Sequence, residues 1–101
     1  MSFTDVQEKV DEELDLKRPN MWRVIFHNDN KTTMEFVILL LLRVFHKSEQ
    51  EATDIMLHVH EKGQAIVGVY THEIAENKME ICINTAKEYE FPLRVTIEEE
   101  I

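Results

Sequence analysis

The fold of this chain is organised around residues 24–37, which read VIFHNDNKTTMEFV. The β-branched and aromatic side chains of residues 24–26 favour a strand, and the NDN sequence of residues 28–30 favours a turn and a helix start. At such a turn, unpaired backbone N–H groups collect beside a carboxylate and two amides. Because the apolar residues Met34 and Val37 enter the helix that follows, the stretch predicts polar groups next to an apolar surface.

Length and composition limit the class of protein. With 101 residues, of which 44% are hydrophobic, the chain fits one compact domain with a single core. The formal net charge of -9 argues against nucleic-acid binding, because phosphate binding needs a basic face. The longest apolar run, residues 36–42, is far shorter than the roughly 20 residues of a membrane span. One cysteine, Cys82, and the absence of a secretory leader favour a soluble protein in the reducing cytoplasm.

Residues 1–20 are predicted to be a flexible acidic N-terminal extension, and residues 21–101 the folded core domain. Val6, Val10 and Leu14 recur every four residues and allow a transient helix, but these apolar groups are too few to offset the entropy of ordering. A solvated tail and a regulatory tether both fit this composition.

The remaining sequence predicts six elements in the order βααβαβ. Ser48 and Glu51 form a capping-box pattern that starts the second helix, and Pro92 stops the third helix from continuing. The elements are predicted at residues 22–27 (strand), 33–45 (helix), 48–63 (helix), 65–70 (strand), 71–90 (helix) and 93–97 (strand). The expected fold class is α+β: a single small domain with a three-stranded sheet packed on three helices.

The first helix carries two leucines on its charged side. Leu39 and Leu42 share a stripe with Glu35 and Arg43, whose charges mark the side that faces solvent. Either a neighbouring element covers the two leucines, or they form an exposed patch. We therefore expect a monomer, with weak self-association through Leu39 and Leu42 as the alternative.

The patterns that would indicate catalysis or a cofactor are absent from the sequence. His58 and His60 are two residues apart on a predicted helix and point in different directions, so they do not suggest a metal site. Cys82 belongs to a helical stripe with 4,3,4,3 spacing that predicts packing rather than a cofactor site or a reactive thiol. The members of that stripe are Ala75, Met79, Cys82, Ala86 and Tyr89. We expect no metal, no cofactor and no enzymatic activity.

A binding site is the remaining interpretation, and its residue types suggest the ligand. The side chains of Asn28 and Asp29 are acceptors that could face a small cation. Met34, Met56 and Val59 are apolar groups on two helices that must pack together. An ammonium next to a bulky apolar side chain fits both features, and the N-terminus of a peptide is the simplest such ligand.

The sequence NDNKTTMEFV of residues 28–37 resembles the N-D-D-x-T-P-M-E-F-V signature of ClpS, the adaptor family of the bacterial ClpAP protease. Further matches follow in register over about residues 20–97. They are the segments at residues 56–60 (MLHVH), 63–71 (GQAIVGVYT), 73–78 (EIAENK) and 92–93 (PL). The resemblance implies the ClpS fold, binding of proteins that begin with Leu, Phe, Tyr or Trp, and their delivery to the ClpA unfoldase.

The resemblance also implies residue roles. Asn28, Asp29 and His60 would hold the α-amino group and first peptide unit, with Thr32 in support and Asn30 beside them. The side-chain pocket would be lined by Met34, Val37, Met56, Val59 and Leu93, with Met34 excluding β-branched groups. Glu73 and Lys78 would contact the N-terminal domain of ClpA, and the acidic extension would help to hand over the substrate.

Two positions depart from the signature. Asn30 replaces its second acidic residue, which removes a negative charge near the ammonium. Thr33 replaces a proline at the helix start, where the proline mainly presets φ, so the pocket should be retained.

Two other functions remain as alternatives. One is a non-catalytic acidic interaction domain resembling ribosomal stalk proteins, which would need no pocket. The other is a hydrolase that uses His60 and Asp29.

Overall fold

A computed structural model describes residues 20–101 of the chain. Its elements are β1 (Met21–His27), α1 (Met34–Arg43), α2 (Glu49–Lys62), β2 (Gln64–Thr71), α3 (His72–Glu88) and β3 (Arg94–Glu99). This order confirms the predicted βααβαβ arrangement and the α+β class. Residues 1–19 of the predicted acidic extension lie outside the described part. Asn20, the last residue of the predicted extension and the first described one, donates a hydrogen bond from its side-chain amide to the carboxylate of Glu99.

The sheet has the strand order β2-β1-β3, and β1 pairs antiparallel with both neighbours. Val24 and Phe26 of this central strand are fully buried. The register against β2 shifts between Val24, which lies opposite Gly68, and Ile25, which lies opposite Ile66. The first apolar run of the sequence therefore becomes the middle of the sheet, and the turn that follows leaves from its centre.

One hydrophobic core joins the sheet to all three helices. It contains Phe36, Val37, Leu40 and Leu41 from α1, Ala52, Met56 and Val59 from α2, and Ala75, Cys82 and Ala86 from α3. The α3 residues are three of the five members of the predicted stripe. Of the other two, Met79 is partly buried and packs against the core, and Tyr89 is 58% exposed. Tyr89 was predicted to pack with this stripe, but it caps the end of α3 and is not part of the core. Its ring lies against that of Phe36, with centroids 5.3 Å apart.

The two leucines on the charged side of α1 have different environments. Leu42 is partly buried and packs against the core, whereas Leu39 is 39% exposed. Of the two alternatives, cover therefore applies to Leu42 and exposure to Leu39.

Local hydrogen bonds fix the ends of α1 and α2. Phe36 N donates to Thr33 Oγ1 at 3.2 Å, so Thr33 caps α1 at the position where the signature has proline. Ser48 and Glu51 form the predicted capping box, with both bonds at 3.1 Å. Gly63 ends α2 in the left-handed conformation, with φ +89°. Within residues 20–101, no helix combines the length and apolarity that crossing a membrane requires.

Candidate functional site

A cavity of about 540 Å³ opens where the turn after β1 meets α2. Cavities of this size are typical of sites for small ligands. We call it the binding cavity, and its lining residues are Asn28, Asp29, Asn30, Lys31, Thr32, Thr33, Met34, Glu35, Val37, Met56, Val59 and His60. Nine of the ten predicted binding residues are in this set. Leu93, the tenth, is buried in the core at 6% exposure and does not line the cavity.

The rim of the binding cavity consists of Asn28, Asp29, Asn30, Thr32 and His60. Its organising group is the carboxylate of Asp29. Oδ1 accepts from the backbone N–H of Lys31 at 2.8 Å and of Thr32 at 2.7 Å, and Oδ2 accepts from Thr32 Oγ1 at 2.7 Å. A carboxylate offers about four lone-pair sites. Oδ2 therefore keeps room for one more donor, such as an ammonium.

The same hydrogen bonds keep Asp29 ionised. Partial burial on its own would raise the pKa of this carboxyl, but the bonds from Thr32 and Lys31 outweigh burial and hold the pKa below its ordinary value of 3.8. A hydrogen bond to the charged form always acts in this direction. The rim therefore presents a fixed negative charge at neutral pH.

A backbone bond joins the rim to α2. Asn28 N donates to Gly63 O at 2.8 Å, and Gly63 N donates to Val59 O at 2.9 Å. Asn28 and His60 consequently lie on the same cavity, as predicted, although 32 positions separate them in sequence. Both are exposed, and among residues 20–101 neither side chain has a hydrogen-bond partner. Their polar atoms are available to a ligand.

The floor of the binding cavity consists of Val37, Met56 and Val59. These side chains are between 3% and 7% exposed because α1 and α2 hold them in the core. Met34 lies at the mouth and is 43% exposed. A methionine with three rotatable bonds can change the width of such an opening, whereas the floor is fixed by packing.

Sequence analysis missed two charged residues of the binding cavity, Lys31 and Glu35. Lys31 occupies the unspecified position of the signature, and Glu35 matches the signature but looked like an ordinary solvent-facing residue of α1. Their positions relative to the cavity depend on how the turn folds, so residue type alone gave no signal.

A larger cavity, of about 740 Å³, lies between α2 and β2 and includes Ile25, Ile55 and Ile66. None of the predicted binding residues lines it. Asp54, His58 and Gln64 give it polar groups, but it shares no residue with the turn after β1 that carries the matched signature.

The two residues predicted to contact ClpA lie on a third cavity, of about 450 Å³. We call this region the α3 surface; it includes Glu73, Ile74, Lys78 and Ile81. Ile74 and Ile81 are 47% and 45% exposed. The α3 surface shares no lining residue with the binding cavity.

Lys78 also has an internal role that the sequence did not reveal. Its Nζ donates to the carbonyl oxygen of Val44, just after α1, at 2.7 Å. The ammonium lies 5.5 Å from the ring centroid of Phe45 and 5.3 Å from that of Tyr70. Lys78 therefore joins α3 to the end of α1.

Cys82 is fully buried on α3. Burial raises the pKa of its thiol to about 12, against a smaller opposing effect of Lys78. The thiolate that nucleophilic chemistry requires is therefore scarce, in agreement with the predicted inert cysteine.

Comparison with known proteins identifies the family. The family described as "ATP-dependent Clp protease adaptor protein ClpS" matches residues 17–96. The chain belongs to the ClpS family. A ClpS adapter protein of Lawsonia intracellularis is 48% identical over 94 residues, which are 93% of this chain and 81% of the relative. One from Myxococcus xanthus is 49% identical over 85 residues, or 84% and 79% of the two chains.

A solved structure agrees with the ClpS fold. Agrobacterium tumefaciens ClpS2 bound to L-phenylalaninamide matches with a TM-score of 0.80 and 38% identity, covering 82% of this chain and all of that one. The relatives are named as adaptors of the ATP-dependent Clp protease. Family membership thus favours the adaptor over the stalk-like and hydrolase alternatives.

Proposed function

We propose that this protein binds proteins whose N-terminal residue is Leu, Phe, Tyr or Trp, and delivers them to the ClpA unfoldase of ClpAP for degradation. The observation that carries the proposal is the placing of the acceptor rim directly beside the apolar floor in one cavity. The ligand of the ClpS2 neighbour, L-phenylalaninamide, joins a free α-amino group to an apolar side chain, and so supports it.

The rim would hold the α-amino group. An α-amino pKa near 8 keeps this group mostly protonated at pH 7. Its donors would bind the amide oxygen of Asn28, the remaining lone pair on Asp29 Oδ2 and a ring nitrogen of His60. Each hydrogen bond to a charged group is worth about 1.5 to 3 kcal/mol. Acetylation removes the charge and adds bulk, so we expect selection for free N-termini.

The floor would bind the N-terminal side chain. Burying a Leu or Phe side chain contributes about 1.5 to 3 kcal/mol. The free energies of side-chain burial and of the amine hydrogen bonds add up, and association costs part of the sum. We expect the remainder to give micromolar or tighter affinity. Met34 would narrow the mouth against side chains that branch at Cβ. Among the predicted pocket residues only Leu93 lies away from the cavity, so we assign it to the core.

Delivery would use the α3 surface. An adaptor must hold its substrate and the unfoldase at once, and the α3 surface is separate from the binding cavity. Glu73 and Lys78 supply charges of both signs around the exposed Ile74 and Ile81, a composition that suits a protein partner. We place both steps in the cytoplasm.

Substrate recognition can be tested by fluorescence anisotropy with labelled peptides that begin with Leu, Phe, Ile or acetylated Leu. We expect micromolar or tighter binding of the Leu and Phe peptides, clearly weaker binding of the Ile peptide and none of the acetylated one. Asn28→Ala should weaken Leu-peptide binding, whereas Asn84→Ala, an exposed asparagine on α3, should not. Equal affinity for all four peptides would exclude the pocket.

The delivery step needs a separate measurement. Binding of the isolated N-terminal domain of ClpA can be followed by calorimetry with the wild type and with Glu73→Lys. We expect the substitution to abolish ClpA binding while the affinity for a Leu peptide is unchanged. Unaltered ClpA binding would remove Glu73 from the interface.

A further inference from the structure

Lys31 has a special position in the binding cavity. It is the only lysine or arginine among the lining residues, and it is exposed. Its backbone N–H is held by Asp29 Oδ1 at 2.8 Å. Within residues 20–101, its ammonium takes part in no salt bridge. The main chain of Lys31 is therefore fixed beside the carboxylate that would face the ligand amine, while its charge is unpaired in the described part of the chain.

The second residue of a bound peptide must lie close to this point. Consecutive Cα atoms are about 3.8 Å apart. With the α-amino group on Asp29, the second residue would be only one Cα–Cα step further along the peptide, within reach of the turn that carries Asn30 and Lys31. Because a lysine has a flexible four-carbon stem, the ammonium of Lys31 can reach the side chain of the peptide's second residue.

The charges around the mouth of the binding cavity decide whether an acidic or a basic second residue would be favoured. The ligand ammonium offsets Asp29, and Asn30 is neutral where the signature has an acid. Glu35 and the net charge of -9 would both repel an acidic ligand. Lys31 is then the one fixed positive charge among the lining residues that can oppose this repulsion.

We propose that Lys31 determines specificity at the second residue of the bound N-terminus, where it favours an acidic over a basic side chain. This inference rests on the proposed function, because it needs a peptide N-terminus in the binding cavity. It adds a second recognised position to the ligand: a bulky apolar residue followed by one whose charge is also selected.

The test is a thermodynamic cycle between Lys31 and the second residue. Wild type and Lys31→Gln are titrated with peptides beginning Leu-Glu, Leu-Gln and Leu-Lys. Relative to Leu-Gln, we expect Lys31→Gln to weaken Leu-Glu and strengthen Leu-Lys by roughly two- to fivefold each, the range of an exposed ion pair. The effect should disappear in about 1 M salt, where charges are screened within about 3 Å.

Two control variants separate local from general electrostatics. Lys87→Gln removes the same charge from an exposed position on α3 that does not line the binding cavity, and should leave the ratios among the three affinities nearly unchanged. Glu35→Gln measures the opposing charge of the mouth, and should strengthen Leu-Glu. If Lys31→Gln changes all three peptides by one factor, as Lys87→Gln does, the inference is wrong.

The Leu-Gln peptide distinguishes this inference from the proposed function. If it fails to bind, or binds equally well when acetylated, the proposed function fails and the inference with it. If it binds only with a free amine but the cycle shows no coupling to Lys31, the inference alone is overturned.

Discussion

The backbone N–H of Asn28 donates to the carbonyl oxygen of Gly63 at 2.8 Å and thereby ties the end of β1 to the end of α2. His60 lies in the last turn of that helix. This bond continues the pairing of β1 with β2, in which His27 lies opposite Gln64, and so helps to set the spacing between the two sides of the rim. Gly63 makes it in a left-handed conformation.

Gly63→Ala is expected to lower both stability and peptide affinity. At φ +89° an L-residue costs about 1 to 2 kcal/mol, and no atom lies within 4 Å of an added Cβ, so the cost is in the backbone rather than in packing. Gly63→Asn should cost less, because asparagine tolerates this conformation better. Urea denaturation and anisotropy measure the two effects. An alanine variant as stable as the wild type would show that the backbone conformation is not limiting.

Peptide binding should weaken in acid through Asp29. The pKa of Asp29 in the folded protein lies below its ordinary value of 3.8. Its contribution to stability is therefore complete above the unfolded pKa and is lost as the pH falls through the lower, folded value. The part of the Leu-peptide affinity that depends on the charge of Asp29 should be retained down to about pH 5 and be lost below about pH 4.

Asp29→Asn, which keeps an oxygen acceptor but no charge, should weaken binding at neutral pH and flatten the acid decline. Asp54→Asn, on the exposed side of α2, is the matched control and should retain it. An unchanged acid decline in Asp29→Asn would assign the titration to another group.

Asn30→Asp restores the charge of the family signature at the rim. Because Asn30 is exposed and lines the binding cavity, a carboxylate there should tighten Leu-peptide binding by roughly two- to fivefold at low salt. Screening should remove most of the gain in about 1 M salt. Titrating the wild type and Asn30→Asp with a Leu peptide at the two salt concentrations measures the gain in affinity. No change at low salt would mean that this departure from the signature is silent.

Lys78→Met should destabilise the fold. The substitution leaves the Val44 carbonyl without its donor and removes a cation from two aromatic rings. For a half-buried lysine we expect a loss of about 1 to 2 kcal/mol in the free energy of unfolding. Lys78→Arg should lose less stability than Lys78→Met. Glu73→Gln, a substitution of a neighbour on the α3 surface, should be as stable as the wild type.

Urea denaturation of these variants decides whether Lys78 can be used to probe the ClpA interface. A Lys78→Met variant as stable as the wild type would mean that the bond to Val44 contributes little.

The element order was predictable because its signals are local. The Ser48–Glu51 capping box spans one helical turn, and Gly63 marks a helix end through its own backbone freedom. The same locality explains the error at Tyr89. Tyr89 N still donates to Thr85 O at 3.3 Å, but Glu90 has a positive φ of 61°, so the helix stops there and Tyr89 lies at its exposed end.

The sequence by itself determined which groups the site would offer. Asp29 organises its turn through bonds to residues two and three positions away, and bonds this short in sequence follow from residue type. Met56 and Val59 of the floor were likewise expected as apolar groups on a helix that must pack, and Val37 through the resemblance to the ClpS signature.

Only the tertiary structure decided how these groups meet. The Asn28–Gly63 bond and the Lys78–Val44 bond each join residues that are more than 30 positions apart in sequence. The place of Leu93 in the core, and of Lys31 at the mouth of the cavity, was decided in the same way. Such contacts depend on the packing of whole elements, because a residue's type limits what it can bond to but not which distant residue arrives beside it.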